Sequence, residues 1–180
     1  MRIWEMKSKY EKYMCTSPVV PFTFEQIHMF NGTSLLDNWQ VIKLKIDKDS
    51  SNKKCEYPYF SGGIPLASKR AIDVIYPLIS DSVELLPFDV EGEIYYGINI
   101  LKILDVVDYE KSDCWYLRPN KPMVNTYVFR SAECLEGHHI FKVVDSTMSS
   151  TPFVSDTFKK LVEKNKLRGF DFKLIWDSDK

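Results

Sequence analysis

Alternation of apolar and polar positions dominates the hydrophobic pattern of this chain and predicts mostly β-strands. Near the C-terminus, large apolar residues occupy every second position: Phe170, Phe172, Leu174 and Trp176. A period of two is typical of a strand that turns one face toward the core. Residues 41–46 alternate in the same way and place Lys43 and Lys45 on the outer face.

Further strands are predicted from less regular apolar segments. Residues 94–107 are strongly apolar with a few polar interruptions, which indicates one long or bulged strand. Shorter strands are predicted at 83–86, 124–129 and 139–144, separated by polar segments that contain Pro or Gly. Residues 47–57 are interpreted as a loop or a boundary between an N-terminal lobe and the rest.

Two segments have helical periodicity instead. Ser68 is a good N-cap for a first helix with apolar residues at 71, 72, 75, 76 and 79, which Pro77 should end or kink. A second helix is predicted from Ser155 or Asp156 to Asn165, and Gly169 follows as a stop signal.

The balance of many strands and few helices predicts the fold class and the domain organisation. We expect an α+β protein: a mostly antiparallel sheet with about two short helices packed on it, in a single compact domain. Residues 1–37 have no assigned role at this stage, and residues 38–180 are predicted to form the domain.

The composition and charge of the chain argue against several classes of function. The 180 residues carry a formal net charge of −1, so the broad positive field of a general nucleic-acid binder is absent, and we expect no nucleic-acid partner. No apolar run has the length of a membrane span, and the charged N-terminus does not resemble a secretory signal. A domain with a core of this size has little need of disulfide bridges, so the four cysteines are expected to be free thiols in a reducing cytoplasm.

The near-neutral charge hides an acidic middle third, because residues 61–120 carry a net charge of −5. The densest acidic stretch is 105–113, followed closely by aromatic residues. One interpretation is a solvated loop after a strand. The other is a face that attracts a basic partner, with amphipathic aromatic rings as anchors.

No catalytic constellation or cofactor motif is evident. The chain lacks a G-x-S-x-G elbow and both of the usual glycine-rich phosphate loops, so no cofactor is expected. Cys134, His138 and His139 lie within six residues and could ligate zinc, but the sequence shows no fourth ligand. Ordinary surface or core roles remain the alternative for these three residues.

Several motifs in a fixed order resemble a known family. They are Trp39-Gln-Val, Tyr59-Phe-Ser-Gly-Gly-Ile-Pro65, Val83-Glu-Leu-Leu-Pro87, Tyr95-Tyr96-Gly-Ile-Asn99, Val106-Val-Asp108-Tyr-Glu110-Lys-Ser112, Ile140-Phe-Lys142, Phe153-Val-Ser-Asp156 and Leu167-Arg-Gly169-Phe-Asp-Phe172. Over residues 38–177 this order resembles the bacterial polymorphic-toxin immunity family typified by a myxobacterial protein. The family's usual Leu-Asp-x-Glu-x-Ser element has Val107 in place of the Leu here.

The resemblance implies a non-enzymatic cytoplasmic inhibitor that binds a cognate toxin domain encoded by a neighbouring gene. Together with the acidic aromatic segment, it predicts these partner-binding residues: Asp105, Asp108, Tyr109, Glu110, Asp113, Trp115 and Tyr116. Asp108, Glu110 and Ser112 could instead only hold a turn. Two other classes stay open: a small enzyme, which a deep carboxylate-lined pocket would favour, and a ligand-binding regulatory module, which a closed apolar cavity would favour.

Overall fold

The computed structural model describes residues 1–51, 53–118, 121–144 and 152–179. Within them the chain forms the following strands: β1 (Arg2–Ser8), β2 (Cys15–Pro18), β3 (Ile42–Ile46), β4 (Tyr59–Phe60), β5 (Leu66–Ser68), β6 (Val83–Val90), β7 (Glu93–Ile100), β8 (Ile103–Leu104), β9 (Asp113–Arg118), β10 (Lys121–Thr126), β11 (Ile140–Val143), β12 (Phe153–Ser155) and β13 (Phe170–Asp177). The α-helices are α1 (Phe24–His28), α2 (Lys69–Ile79) and α3 (Asp156–Lys164).

These strands form two large sheets and one hairpin. The six-stranded sheet has the order β4-β2-β3-β6-β7-β5, the five-stranded sheet has the order β13-β1-β12-β11-β8, and β9 pairs only with β10 in the described part of the chain. Within the same ranges, seven of the ten strand pairings are antiparallel. The predicted class, a single compact α+β domain with a mostly antiparallel sheet content, is confirmed.

The two predicted helices pack together in the main core between the large sheets. Ser68 caps α2 by accepting a hydrogen bond from the backbone N–H of Ala71, and Ser155 caps α3 in the same way through Phe158. Ile75 of α2 and Phe158 of α3 are fully buried in this core. Both predicted helices are therefore confirmed, with starts at the predicted caps.

Pro77 neither ends α2 at once nor prevents it from reaching Ile79. Proline removes only the hydrogen bond that its own N–H would donate to residue 73, and the helix needs just two more residues to complete its last turn. Burial of Ile79 in the main core favours that completion.

Gly169 is not the residue that stops α3, contrary to the prediction. The helix ends at Lys164, and Asn165 caps it, with its side-chain amide bonded to the carbonyl of Leu161. Gly169 lies four residues later at φ +96°, and a Cβ there would come within 2.4 Å of the Tyr57 carbonyl oxygen. Glycine at this position lets the backbone of residue 169 approach the backbone of Tyr57 closely.

The predicted single strand over 94–107 is wrong. β7 ends at Ile100, and the N–H groups of Leu101 and Lys102 both donate to the carbonyl of Ser82. This turn carries the chain out of the six-stranded sheet, and β8 joins the five-stranded sheet beside β11. One apolar run therefore supplies strands to both sheets: Ile98 and Ile100 are buried in the main core, and Leu104 packs against a separate cluster that contains Phe141 and Phe153.

The predicted strand at 83–86 extends to Val90 and includes Pro87. β6 lies between β3 and β7, yet its pairing with β3 begins only at Phe88. Pro87 therefore occupies a position where the β3 side needs no backbone donor. As expected for neighbours on a strand, Tyr95 of β7 is buried in the core and Tyr96 is only half-buried.

The C-terminal strand β13 is confirmed, but its predicted alternation fails after Leu174. Phe172 lies opposite Met6 and Leu174 lies opposite Trp4, on one face of the sheet. A β-bulge then shifts the pairing so that Trp176 lies opposite Ile3, and Ile175 and Trp176 pack against the cluster that contains Ile3. Leu174, the last residue before the bulge, is 39% exposed.

The other predicted strands differ from the structure at their ends. β3 is confirmed with Lys43 and Lys45 on the exposed face, and the strand predicted at 139–144 is β11. The strand predicted at 124–129 is instead β10, which ends at Thr126. Phe129 makes only an isolated antiparallel bridge with Val107.

The N-terminal residues, which had no assigned role, supply a strand to each large sheet. β1 lies between β13 and β12, and β2 lies between β4 and β3. Ile3 of β1 and Met14, directly before β2, are fully buried. The N-terminal segment is therefore part of both sheets.

Candidate partner-binding surface

The seven predicted contact residues lie on one segment, residues 105–116, that leads from the end of β8 into β9. Val106 and Val107 are buried at its base, and Val107 pairs with Phe129. The following residues form a turn and then enter the β9–β10 hairpin. The structure therefore brings all seven residues into one region, fixed at its base by the core on the outer face of the five-stranded sheet.

Asp108 and Ser112 hold the turn itself. The N–H of Asp108 donates to the carbonyl of Val128 (2.8 Å), and the N–H of Val128 donates to the Ser112 hydroxyl oxygen (2.9 Å). The Asp108 carboxylate also accepts a hydrogen bond from the N–H of Lys111. These contacts give Asp108 and Ser112 a structural task, whereas Glu110 is exposed to solvent at the tip.

Two of the four carboxylates on the segment have cationic partners. Asp105 pairs with Arg130 at 2.6 Å, and Asp108 pairs with Lys111 at 2.9 Å. The hydrogen bond from the Lys111 ammonium lowers the pKa of Asp108. With both cations counted, the segment keeps a formal charge of −2, carried by the exposed Glu110 and Asp113.

Trp115 and Tyr116 are the exposed aromatic residues of the hairpin, at 47% and 61% of their surface. As neighbours on β9 they point to opposite sides of the strand. Trp115 lines a groove of about 430 Å³ between the hairpin and the five-stranded sheet, together with Met123, Tyr127 and Ile175. Tyr116 lies on the other side of β9.

Tyr109 has a mixed environment at the edge of this surface. Its ring packs against the core on the outer face of the five-stranded sheet, and its hydroxyl donates to the carbonyl of Val144. Both the ring and the hydroxyl of Tyr109 therefore make contacts within the protein. Among the three predicted aromatic contacts, Trp115 and Tyr116 have the most surface to offer a partner.

A buried carboxylate, which the sequence analysis missed, lies outside this surface. Glu56 is almost fully buried and accepts hydrogen bonds from the Arg70 guanidinium (2.6 Å) and from the Arg168 guanidinium (3.2 Å) and backbone N–H (2.8 Å). Burial alone would raise the pKa of Glu56, but the hydrogen bonds from Arg168 and Arg70 lower it to about 2. No local sequence signal marks this group, because Arg168 is 112 residues away.

Buried polar groups also tie the N-terminal segment to the rest of the fold. The Glu84 carboxylate accepts hydrogen bonds from the Ser34 hydroxyl (2.7 Å) and the Asn99 amide (2.7 Å). The buried Lys142 ammonium donates to the carbonyl of Phe30 at 2.9 Å, and burial lowers its pKa to about 8. These contacts are structural, since each side chain points into the protein.

The residues considered for zinc binding are used differently. The Cys134 thiol donates to the carbonyl of Ser131, and the His139 Nδ1 lies 2.9 Å from the Ser155 hydroxyl. Across the described ranges, no group of three or more His, Cys, Asp or Glu side chains is arranged to hold a metal ion.

A broad, open depression of about 1020 Å³ lies beside Tyr10 and Tyr59. Glu11, Asp47, Asp49 and Glu91 contribute carboxylates to it, together with two lysines. Asp47 accepts a hydrogen bond from the Ser17 hydroxyl, and Glu91 accepts one from the N–H of Ile46. Two of its four carboxylates are therefore engaged in holding the surrounding loops.

Comparison with known families agrees with the motifs seen in the sequence. The model of an immunity protein family, Imm11, matches residues 40–177. This match covers well over half of the chain, and the protein belongs to that family. No curated protein sequence matches the chain significantly. Membership indicates a role in toxin immunity, and no helix in the described part of the chain is long and apolar enough to cross a membrane.

Proposed function

We propose that this protein is a non-enzymatic immunity protein that acts in the cytoplasm. It binds a toxin domain encoded by a neighbouring gene of a polymorphic toxin system and neutralises that domain by covering its active site. Family membership supports the general role. The site of contact is proposed to be the 105–116 segment with the β9–β10 hairpin.

The observation that carries this site is the exposure of two adjacent aromatic residues on a hairpin with a fixed base. Trp115 and Tyr116 expose 47% and 61% of their surface. Such rings supply a large contact area and lose little conformational entropy on binding, which is why Trp and Tyr are enriched in binding hot spots. The turn held by Asp108 and Ser112 limits the further ordering that binding would require.

The charge of the segment defines the complementary partner. Glu110 and Asp113 are exposed, and Asp113 contacts only the Asn125 amide among the described polar side chains. A toxin surface rich in Lys or Arg would therefore be attracted, mainly through a faster association rate. The Asp105 carboxylate adds to this acidic surface, although it is paired with Arg130. Asp108 and Tyr109 hold the segment in place through their contacts within the protein.

A pair of matched tyrosine variants tests this assignment. Tyr116→Ala should weaken binding to the purified toxin domain by about thirtyfold or more, because truncation of a hot-spot aromatic costs on the order of 2 kcal/mol. Tyr76→Ala removes a comparably exposed ring (38%) from α2 and should leave the affinity unchanged. Isothermal titration calorimetry measures both. Equal affinities for the two variants would place the contact elsewhere, even if the protein remains an immunity protein.

A further inference from the structure

β13 is an edge strand with an unusual amount of apolar surface. In the described part of the chain it pairs only with β1, although it is eight residues long. Leu174 is 39% exposed, and Phe172 is only partly buried. Long edge strands offer a row of unpaired backbone groups to another strand.

The part of β13 before its bulge is regular enough to accept a second strand. From Phe170 to Leu174 its pairing with β1 runs without interruption, from Ser8 opposite Phe170 to Trp4 opposite Leu174. The irregularity begins only after Leu174. These five residues are therefore evenly pleated; Phe170 is buried against Tyr57, and the exposed part of the edge lies from Asp171 to Leu174.

The sequence of this stretch, Phe-Asp-Phe-Lys-Leu, is complementary to itself in one antiparallel register. When two copies pair about a twofold axis at Phe172, Asp171 of each copy lies opposite Lys173 of the other. An axis at Asp171 or at Lys173 would instead place like charges opposite each other. Opposite charges stabilise directly opposed cross-strand pairs and like charges destabilise them, so the sequence selects the register centred on Phe172.

We propose that two copies of this chain associate edge to edge through β13 in that register, which joins their five-stranded sheets into one. The pairing would place Phe170 opposite Leu174 of the second copy and bring the two Phe172 residues together. It would cover part of the exposed surface of Leu174. Within each copy Asp171 lies opposite Lys7 and Lys173 lies opposite Glu5 on β1, and the contact of Asp171 with the Lys9 ammonium is long (4.0 Å) and exposed on both sides.

A charge swap tests the proposal. Sedimentation velocity and light scattering on the full chain should give a molar mass of about twice 21.1 kDa at high concentration. Asp171→Lys or Lys173→Asp alone should raise the dimer dissociation constant at least about tenfold. Each single reversal places two like charges opposite each other, and the twofold axis makes this repulsive pair occur twice in the dimer. The double variant Asp171→Lys/Lys173→Asp restores opposite charges at both positions and should restore the dimer.

Two controls show whether the charge reversals weaken the dimer specifically through the β13 edge. Asp73→Lys removes an exposed aspartate that likewise has a lysine partner, Lys69, and should leave the dimer unchanged. Circular dichroism should show each variant folded, because neither Asp171 nor Lys173 is buried. A chain that is monomeric at every concentration, or a dimer that ignores the single reversals, would overturn the proposal. So would a double variant that stays as weak as the single ones.

Discussion

The buried Glu56 carboxylate depends on partners that lie far along the chain. Its carboxylate is held by Arg70 at the start of α2 and by Arg168 in the segment that leads to β13. A buried carboxylate without such partners would lose much of its hydration without compensation. The three residues therefore connect the loop before β4, helix α2 and the C-terminal strand through one charged group.

The low pKa of Glu56 predicts the pH dependence of folding. A carboxyl group with a folded pKa of about 2 and an ordinary value of 4.5 stabilises the folded state above pH 4.5, and this contribution is lost as the pH falls toward 2. Glu56→Gln should lower the free energy of unfolding at neutral pH by about 3 kcal/mol. The difference between the two proteins should shrink at pH 3, as measured by urea denaturation.

An exposed carboxylate provides the control for that experiment. Glu163 pairs with Lys159 on the surface of α3, so Glu163→Gln should change the free energy of unfolding by less than about 1 kcal/mol at either pH. If Glu56→Gln behaved like Glu163→Gln, the ion pairs with the two arginines would not contribute to stability.

Residue roles could be predicted from the sequence only where the signal is local. Ser68 and Ser155 cap their helices as expected, because a cap contacts a backbone group three residues away. The sequence left two alternatives open for Asp108 and Ser112, a role in holding the turn or contact with a partner. It could not decide between them because their hydrogen-bond partner, Val128, lies outside the turn. Glu56 and its arginines have no local pattern and could not be identified.

At the level of elements, helices were easier to predict than strand ends. α2 and α3 have both a cap and an apolar face, whereas α1 was missed although Thr23 and Gln26 form a reciprocal capping box at its start. The break between β7 and β8 was missed because Leu101, Ile103 and Leu104 continue the apolar run on either side of Lys102. The hydrogen bonds from the N–H groups of Leu101 and Lys102 to Ser82, which end β7, leave no local signal. The bulge at Leu174 depends on pairing with β1, which no local pattern encodes.

The position of β1 predicts that the family region cannot fold alone. The family match begins at residue 40, but β1 lies between β12 and β13, and Lys142 and Glu84 need partners from residues 30–34. A chain that starts at residue 38 would leave β4 and β13 without a neighbouring strand and the buried Lys142 without its carbonyl acceptor, and Glu84 would keep only Asn99 of the partners named above. We expect it to be insoluble or unfolded by circular dichroism.

Two point variants test the same claim without shortening the chain. Ile3→Asp places a charge at a fully buried position of β1 and should prevent folding. Lys7→Ala, at an exposed position of the same strand, should change stability by less than about 1 kcal/mol. A well-folded 38–180 fragment would show that the N-terminal strands are dispensable.

On the scale of the whole molecule, the fold is stabilised by three apolar clusters among the residues that the structure describes. One lies between the large sheets and includes α2 and α3, and each of the others covers the outer face of one sheet. The fold class was predictable because period-two alternation survives wherever one strand face is buried. The arrangement in two sheets was not, since β8 and β11 are parallel neighbours that lie far apart in sequence.

The outer-face cluster beside the five-stranded sheet gives the proposed binding surface its rigid base. Val107 and Phe129 are buried there, directly below the turn that leads to Trp115 and Tyr116. A contact surface built on a packed core keeps its geometry in the free protein, so that less ordering is required when a partner binds. This relation between core and surface is consistent with inhibition by occlusion.

Co-expression with the proposed toxin, the product of the neighbouring gene, tests the central claim most directly. The C-terminal domain of that protein should arrest growth of a heterologous bacterium, and this protein should restore growth and co-purify with the domain as a stable complex. Restored growth without a complex would contradict inhibition by binding. A toxic domain that this protein neither neutralises nor binds would contradict the immunity function for that pair.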